Sequence, residues 1–150
     1  MRYLFVLSMF VYLAALPSTA QNANDLSAKD QLRSALLHED TAAIIALVNA
    51  GVDLNSVQLA DRPLIIVAAV ESGPNVLEFL VNSGVDPDAT DQDGYSAVMK
   101  ALEFGQIENA RKLADLGASL DGVSNDGFTV RLLAERMGLS NFGPTYSSLP

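Results

Sequence analysis

The chain has 150 residues, no cysteine and a formal net charge of −9. A surface this acidic repels nucleic acid and anionic membranes, and it favours a protein partner with a basic or mixed surface. The missing cysteine excludes disulfides, thiol catalysis and cysteine metal sites, so packing must stabilise the fold.

The first 20 residues carry the pattern of a secretory signal. Arg2 is followed by a 14-residue apolar run at 3–16, then by Pro17 and the small residues Ser18 and Ala20. As a helix this run measures about 21 Å against a hydrocarbon core of ~30 Å, which favours a signal peptide over a membrane anchor or a buried first helix. We expect cleavage after Ala20, leaving 8 Lys and Arg against 18 Asp and Glu, a net charge of −10. The expected location is the periplasm, with secretion from the cell as the alternative.

In the rest of the chain, several residue types recur at a spacing of 33 residues. Three residue types recur at this spacing: Ala35, Ala68, Ala101 and Ala134; Gly51, Gly84 and Gly117; Leu47, Leu80 and Leu113. A period of this size predicts a stack of similar units that share a continuous core. We therefore predict an all-α solenoid of helix-turn-helix units over 28–138, preceded by a lead-in at 21–27. The tail at 139–150 should be irregular, with Phe142 and Tyr146 as candidates to cover the last helix.

The predicted units differ in completeness. The first begins near Ala28 without a full hairpin turn, the second and third are complete, and the fourth offers one helix over about 129–137. In the third unit, Gly105 separates two helical stretches and Gly117 ends the second, as glycine commonly does. About two full and two partial repeats result, close to the minimum of about three that such a stack needs.

Two kinds of position have a packing role in every unit. The second helices carry apolar residues at i, i+3 and i+4, which predicts one buried stripe: Ile44, Leu47 and Val48; Leu77, Leu80 and Val81; Ala110, Leu113 and Ala114. The recurring alanines lie in the first helices, where neighbouring helices must approach closely. A larger side chain there would overpack the stack at a cost of about 1–3 kcal/mol.

This pattern resembles the ankyrin repeat, in which a turn and two antiparallel helices fill 33 residues. The family's turn and helix opening is matched by Asp-Gln-Asp-Gly-Tyr-Ser-Ala-Val at 91–98 and more loosely at 125–130. Its helix-ending glycine is matched three times, at 51–55, 84–88 and 117–121. Two departures occur. The second unit fits only after a one-residue slip, and no unit has the histidine of the family's Thr-Pro-Leu-His motif.

The resemblance implies a protein-binding surface made of the turn tips and the exposed faces of the first helices. By position, the turn tips hold Arg62, Tyr95 and Phe128. Two rows on the first helices hold His38, Glu71, Phe104 and Met137, and Leu37, Val70, Glu103 and Arg136. Tyr95, Phe104 and Phe128 either anchor an interface as exposed aromatics or pack between neighbouring turns. Asp91 and Asp93 add an acidic rim suited to a basic partner.

Catalytic and metal chemistry find little support in the sequence. His38 is the only histidine, and no nucleophile motif accompanies it, so we interpret it as a solvated residue. The aspartates at 86–93 suggest a calcium loop, but the required register places Ala89 and Lys100 at the first and last ligand positions. An acidic hairpin between two repeats is the favoured interpretation. We expect no enzyme activity, no cofactor and no metal site.

Three functions are open from the sequence. The favoured one is a non-enzymatic protein-binding module in the periplasm, in its sharper form an immunity or accessory protein that masks a co-produced toxin or enzyme. The second is a stress-protection or scaffolding factor that supports another periplasmic enzyme. The third is a small hydrolase with an unrecognised site that uses His38, Asp91 and Asp93.

Overall fold

A computed structural model describes the backbone of residues 18–139 and 142, with side chains from residue 28 onward. Within these residues the chain forms seven helices and one short hairpin: α1 Ser18–Leu37, α2 Thr41–Asn49, β1 Gln58–Leu59, β2 Arg62–Pro63, α3 Leu64–Glu71, α4 Pro74–Asn82, α5 Ala97–Glu103, α6 Ile107–Asp115 and α7 Val130–Arg136. The predicted apolar signal run at 3–16 and Tyr146 of the tail lie outside the described residues.

Helix α1 is longer than the other first helices. It spans 20 residues and includes both the predicted lead-in at 21–27 and the predicted cleavage position after Ala20. No glycine or proline interrupts the sequence between Ser18 and Leu37, so nothing in it stops the helix earlier. In the described part of the chain, no helix is long and apolar enough to cross a membrane.

The helices form a stack with two layers. The first helices α1, α3, α5 and α7 pack side by side in chain order, while α2, α4 and α6 each pack against the first helix of their own unit. The four recurring alanines between these first helices are all buried, as predicted: Ala35, Ala68, Ala101 and Ala134. The predicted stripe of the second helices is buried at its first two positions in every unit. Its third position is at the edge of the core, where Val48 is 40% exposed.

The second helices end at the recurring glycines, as predicted. The three recurring glycines that end the second helices have φ values of +94°, +91° and +93°, at Gly51, Gly84 and Gly117. The first helices α5 and α7 begin at side-chain caps. Ser96 Oγ accepts the backbone N–H of Met99 at 3.4 Å, and Thr129 Oγ1 accepts that of Leu132 at 3.1 Å.

The one-residue slip of the second unit is confined to its turn. Pro63, Ser96 and Thr129 stand one 33-residue step apart directly before α3, α5 and α7, so the helices keep their register. Strands β1 and β2 pair closely and leave the two-residue turn Ala60-Asp61, with φ values of +51° and +61°. The later hairpins are one residue longer, and each has a glycine at positive φ, Gly94 or Gly127.

The two end faces carry polar side chains where inner units are apolar. Arg131 and Glu135 of α7 take the positions of the buried Val98 and Leu102 of α5, and Arg131 Nε lies 2.9 Å from Glu135 Oε1. At the other end, two positions that are apolar in the second unit hold Gln31 and Ser34. These positions of α7 and α1 are therefore more polar than the equivalent positions of α5 and α3.

Candidate protein-binding surface

Tyr95 packs between neighbouring turns, and the alternative interpretation as an exposed anchor is wrong. Tyr95 is only 7% exposed, and its ring centroid lies 6.4 Å from that of Phe128. The Nζ atom of Lys100 is 3.9 Å from the Tyr95 ring centroid, and the Tyr95 hydroxyl donates to Asp126 Oδ2 at 2.9 Å. Tyr95 therefore joins the third unit to the fourth.

The pKa values of Tyr95 and Asp126 are both shifted from their ordinary values. Burial raises the pKa of Tyr95 above its ordinary value of 10.0, and the hydrogen bond to Asp126 adds to the rise. The Ser124 hydroxyl, which donates to Asp126 Oδ1 at 2.6 Å, is the main cause that lowers the pKa of Asp126 below its ordinary 3.8. The Tyr95 hydroxyl acts in the same direction. Neutral Tyr95 and ionised Asp126 thus stabilise each other across two units.

A groove of 260 Å³ opens between α5 and α7, and we refer to it as the α5–α7 groove. It is lined by Tyr95, Leu102, Glu103, Phe128, Leu133, Arg136 and Met137. Met137, one of the lining residues, is 37% exposed, and Phe104, which directly follows α5, is 54% exposed. A Cβ on Gly105 would lie 3.9 Å from Met137 Cε, so the end of α7 reaches that of α5. Exposed apolar side chains gathered around a groove are typical of interaction sites.

Two charged residues with different partners flank the groove. Glu103 Oε2 accepts a hydrogen bond from Lys100 Nζ at 2.7 Å. Arg136 Cζ lies 5.6 Å from the ring centroid of the half-buried Phe128, within the range of a cation–π contact. Among residues 28–139 and 142, no carboxylate forms an ion pair with Arg136. The rim therefore holds a carboxylate that is paired with a lysine and a guanidinium within cation–π range of an aromatic ring.

The turn tips of the second and third units meet in a smaller recess. It has a volume of 140 Å³ and is lined by Ala60, Asp61, Arg62, Asp91, Gln92 and Asp93. The structure thus brings the predicted Arg62, Asp91 and Asp93 together. Asp93 is exposed and Asp91 is half-buried, so the acidic rim is only partly available to a partner.

Asp91 also stabilises its own turn. Its Oδ1 accepts the backbone N–H groups of Asp93 at 3.1 Å and Tyr95 at 2.9 Å. One step later, Ser124 Oγ accepts the backbone N–H of Phe128 at 2.9 Å. These two side chains brace the hairpins in units that lack the family's histidine, a role that the sequence analysis missed. Their 33-residue separation was the available signal.

The remaining predicted residues lie away from the α5–α7 groove. Glu71 is half-buried and its Oε1 pairs with Arg33 Nη2 of α1 at 3.0 Å. Leu37 and His38 are exposed at the end of α1, and Val70 is half-buried in α3. Four of the nine predicted binding residues line the α5–α7 groove, namely Tyr95, Glu103, Phe128 and Arg136, and Phe104 directly follows Glu103 in the chain.

Polar side chains that join the units are a second feature that the sequence analysis missed. The buried Asn109 of α6 donates to the backbone oxygens of Ala69 at 3.0 Å and Ser72 at 2.8 Å, both in the preceding unit. Asn55 and Asp88, one 33-residue step apart, each bond the backbone of the following unit. Such bonds hold the first three units in fixed register.

The described residues offer no assembled reaction centre. His38 Nδ1 lies 2.8 Å from the backbone oxygen of Ser34 in its own helix. Asp86 Oδ1 accepts the backbone N–H of Asp88 within its own turn, and Asp88 Oδ1 accepts that of Ser119 in the following unit. In the part of the chain that the structure describes, no group of three or more His, Asp or Glu side chains could hold a metal ion.

Comparison with known proteins supports the architecture. The family model for ankyrin repeats, three copies, matches residues 32–124 and again 64–142. Potassium channel AKT1 of rice (Oryza sativa) is 34% identical over 72 residues, which is 48% of this chain and 8% of the channel. An ankyrin repeat-containing protein of Schizosaccharomyces pombe is 25% identical over 79 residues, 53% of this chain and 38% of that protein. The chain thus corresponds to a small part of each curated relative.

Proposed function

The chain belongs to the ankyrin-repeat family, a family of protein-interaction modules, and we propose that it binds a segment of another protein in the α5–α7 groove. The observation that carries this proposal is a groove lined by Phe128 and Met137, with the exposed Phe104 directly after the lining residue Glu103 at the end of α5. Phe104 and Met137 stay 54% and 37% exposed, although burying either would be favourable. A protein partner would cover them.

The units around the groove are rigid enough to present it. The floor is held by the Tyr95–Phe128 ring contact and by the bond from Tyr95 to Asp126, while α5 is capped by Ser96. A preformed site loses less conformational entropy on binding than a flexible one. The groove therefore suits binding without rearrangement of the stack.

Affinity capture with the purified protein tests this proposal. The variant Phe104→Ala/Met137→Ala removes the exposed apolar edge of the groove. The matched control Ile45→Ala/Val48→Ala removes two aliphatic side chains of similar exposure, 45% and 40%, from α2. Since central anchors typically contribute 2 kcal/mol or more, the groove variant should bind a captured partner about 30-fold more weakly or worse.

The control variant should bind that partner like the parent protein. Equal binding by both variants, or loss in the α2 variant alone, would place the interface elsewhere and overturn the proposal. Thermal unfolding of each variant shows whether a loss of binding reflects a loss of fold.

We further propose that the module works in the periplasm and masks a co-produced exported toxin or enzyme. The pattern of residues 1–20 supports the location, and the small acidic chain with its preformed groove supports the masking role. Co-expression with the product of the adjacent reading frame tests it. The expected result is a complex that remains associated at micromolar concentration and in which the partner is inactive. A free, active partner at that concentration would contradict it.

A further inference from the structure

We propose that the α5–α7 groove recognises an acidic-apolar segment, in which one apolar side chain enters the groove while Arg136 binds a carboxylate beside it. This inference rests on the proposed function of the groove and specifies the chemistry of its partner. It departs from the expectation of a basic partner, which was based on the charge of the whole chain.

The size of the groove limits what can enter it. Pockets for drug-sized ligands typically measure about 300–1,000 Å³, whereas this groove measures 260 Å³. Its lining includes the buried Leu102, Leu133 and Tyr95. This volume and this largely apolar lining accommodate a single aliphatic or aromatic side chain of a protein segment.

The charge of Arg136 is available to a partner. Four other cations of the stack already have carboxylate partners within 3.0 Å: Arg33, Lys100, Lys112 and Arg131. Arg136 instead lies beside Phe128, with Cζ 5.6 Å from the ring centroid, within the range of a cation–π contact. The parallel N–H groups of its planar guanidinium match the two oxygens of a carboxylate. The apolar anchor and the carboxylate site therefore lie side by side.

The acidic residues near the groove do not reverse its preference for an acidic segment. Glu103, on the rim, is already paired with Lys100 at 2.7 Å, and Asp126 accepts hydrogen bonds from Ser124 and Tyr95. A lysine brought to the groove would approach Arg136, and Glu103, the carboxylate among the lining residues, already has Lys100 as its partner. Repulsion between like charges thus selects against a basic residue next to the apolar anchor.

Selection from a random dodecapeptide display library against the purified protein tests the proposal. The expected peptides combine Leu, Ile, Met or Phe with Asp or Glu within three residues. Their affinity should fall about tenfold or more in Arg136→Gln, because a hydrogen bond to a charged group contributes about 1.5–3 kcal/mol. Arg136→Lys should lose less, since it keeps the charge without the planar fork.

The control Arg131→Gln removes a positive charge from the opposite side of the same helix and should leave peptide affinity unchanged. Peptides that require Phe104 and Met137 but carry Lys or Arg beside the anchor, or that tolerate Arg136→Gln, would overturn this inference alone. Peptides that bind equally well to Phe104→Ala/Met137→Ala, or the absence of any selected peptide, would overturn both this inference and the proposed function.

Discussion

At the scale of single residues, Ala101 shows how one methyl group sets the spacing between helices. It is fully buried in α5, which packs against both α3 and α7. Ala101→Leu should lower the free energy of unfolding by about 1–3 kcal/mol, because the added atoms force neighbouring helices apart. Urea denaturation measures the change. Ala42→Leu, at an exposed position of α2, is the control, and an equal effect of both substitutions would contradict the packing account.

Tyr95 and Asp126 link stability to pH in opposite directions. The raised pKa of Tyr95 gives a contribution that is complete below pH 10.0 and is lost as pH rises through the higher pKa of the folded state. The lowered pKa of Asp126 gives a contribution that is complete above pH 3.8 and is lost as pH falls through the lower folded pKa. Stability should therefore decline on both sides of this window.

Tyr95→Phe should flatten the decline of stability at alkaline pH and weaken its decline at acid pH. Ser124→Ala should flatten mainly the decline at acid pH, since Ser124 is the largest cause of the lowered pKa of Asp126. Urea midpoints measured from pH 3 to pH 11 in each variant check this. The slope with pH is the diagnostic quantity, since both substitutions also remove packing or hydrogen bonds. An unchanged alkaline slope in Tyr95→Phe would contradict the account.

The sequence predicted the role of a residue best where the same residue type recurs every 33 positions. The 33-residue step correctly predicted burial of Ala35, Ala68, Ala101 and Ala134. Periodicity placed Tyr95 at a turn tip but could not decide its burial, because that depends on Phe128 and Asp126 of the next unit. The bracing role of Asp91 was hidden because a carboxylate replaces the histidine that the family's motif would supply.

At the scale of elements, the β1–β2 hairpin of the second unit shows how a shorter turn leaves the register of the helices unchanged. Its two-residue turn places Ala60 and Asp61 at φ +51° and +61°, the left-handed region that favours glycine. The sequence showed the one-residue slip, but the pairing of β1 with β2, which explains it, was visible only in the structure. The bounds of the helices were predicted more closely, since the helix predicted at about 129–137 is observed at Val130–Arg136.

Ala60→Gly should stabilise the protein by about 0.5–1 kcal/mol. A left-handed alanine costs about 1–2 kcal/mol, of which the extra freedom of glycine in the unfolded chain offsets about 0.4–1 kcal/mol. Thermal and urea unfolding both measure the difference. Ala46→Gly, within the regular helix α2, should instead destabilise by about 1 kcal/mol. Destabilisation by Ala60→Gly would show that the turn is not strained.

At the scale of the whole molecule, residues that recur every 33 positions form the packed stack, and residues that do not recur form the proposed binding surface. The α5–α7 groove forms where the third unit meets the fourth, and its lining changes type from one unit to the next, as Glu103 and Arg136 do at equivalent positions. Such residues could be enumerated from the sequence. Their assembly into one groove, with Glu71 outside it, depended on the packing of α5 against α7.

The central claim is that a protein partner contacts the α5–α7 groove, and site-specific photo-crosslinking in the producing cell tests it most directly. A photoreactive side chain replaces Phe104 in one protein and Ile45 of α2 in another, both exposed positions. The account predicts a covalent adduct with one defined protein from position 104, and no such adduct from position 45. The same adduct from both positions, an adduct from position 45 alone, or none from position 104 would contradict it.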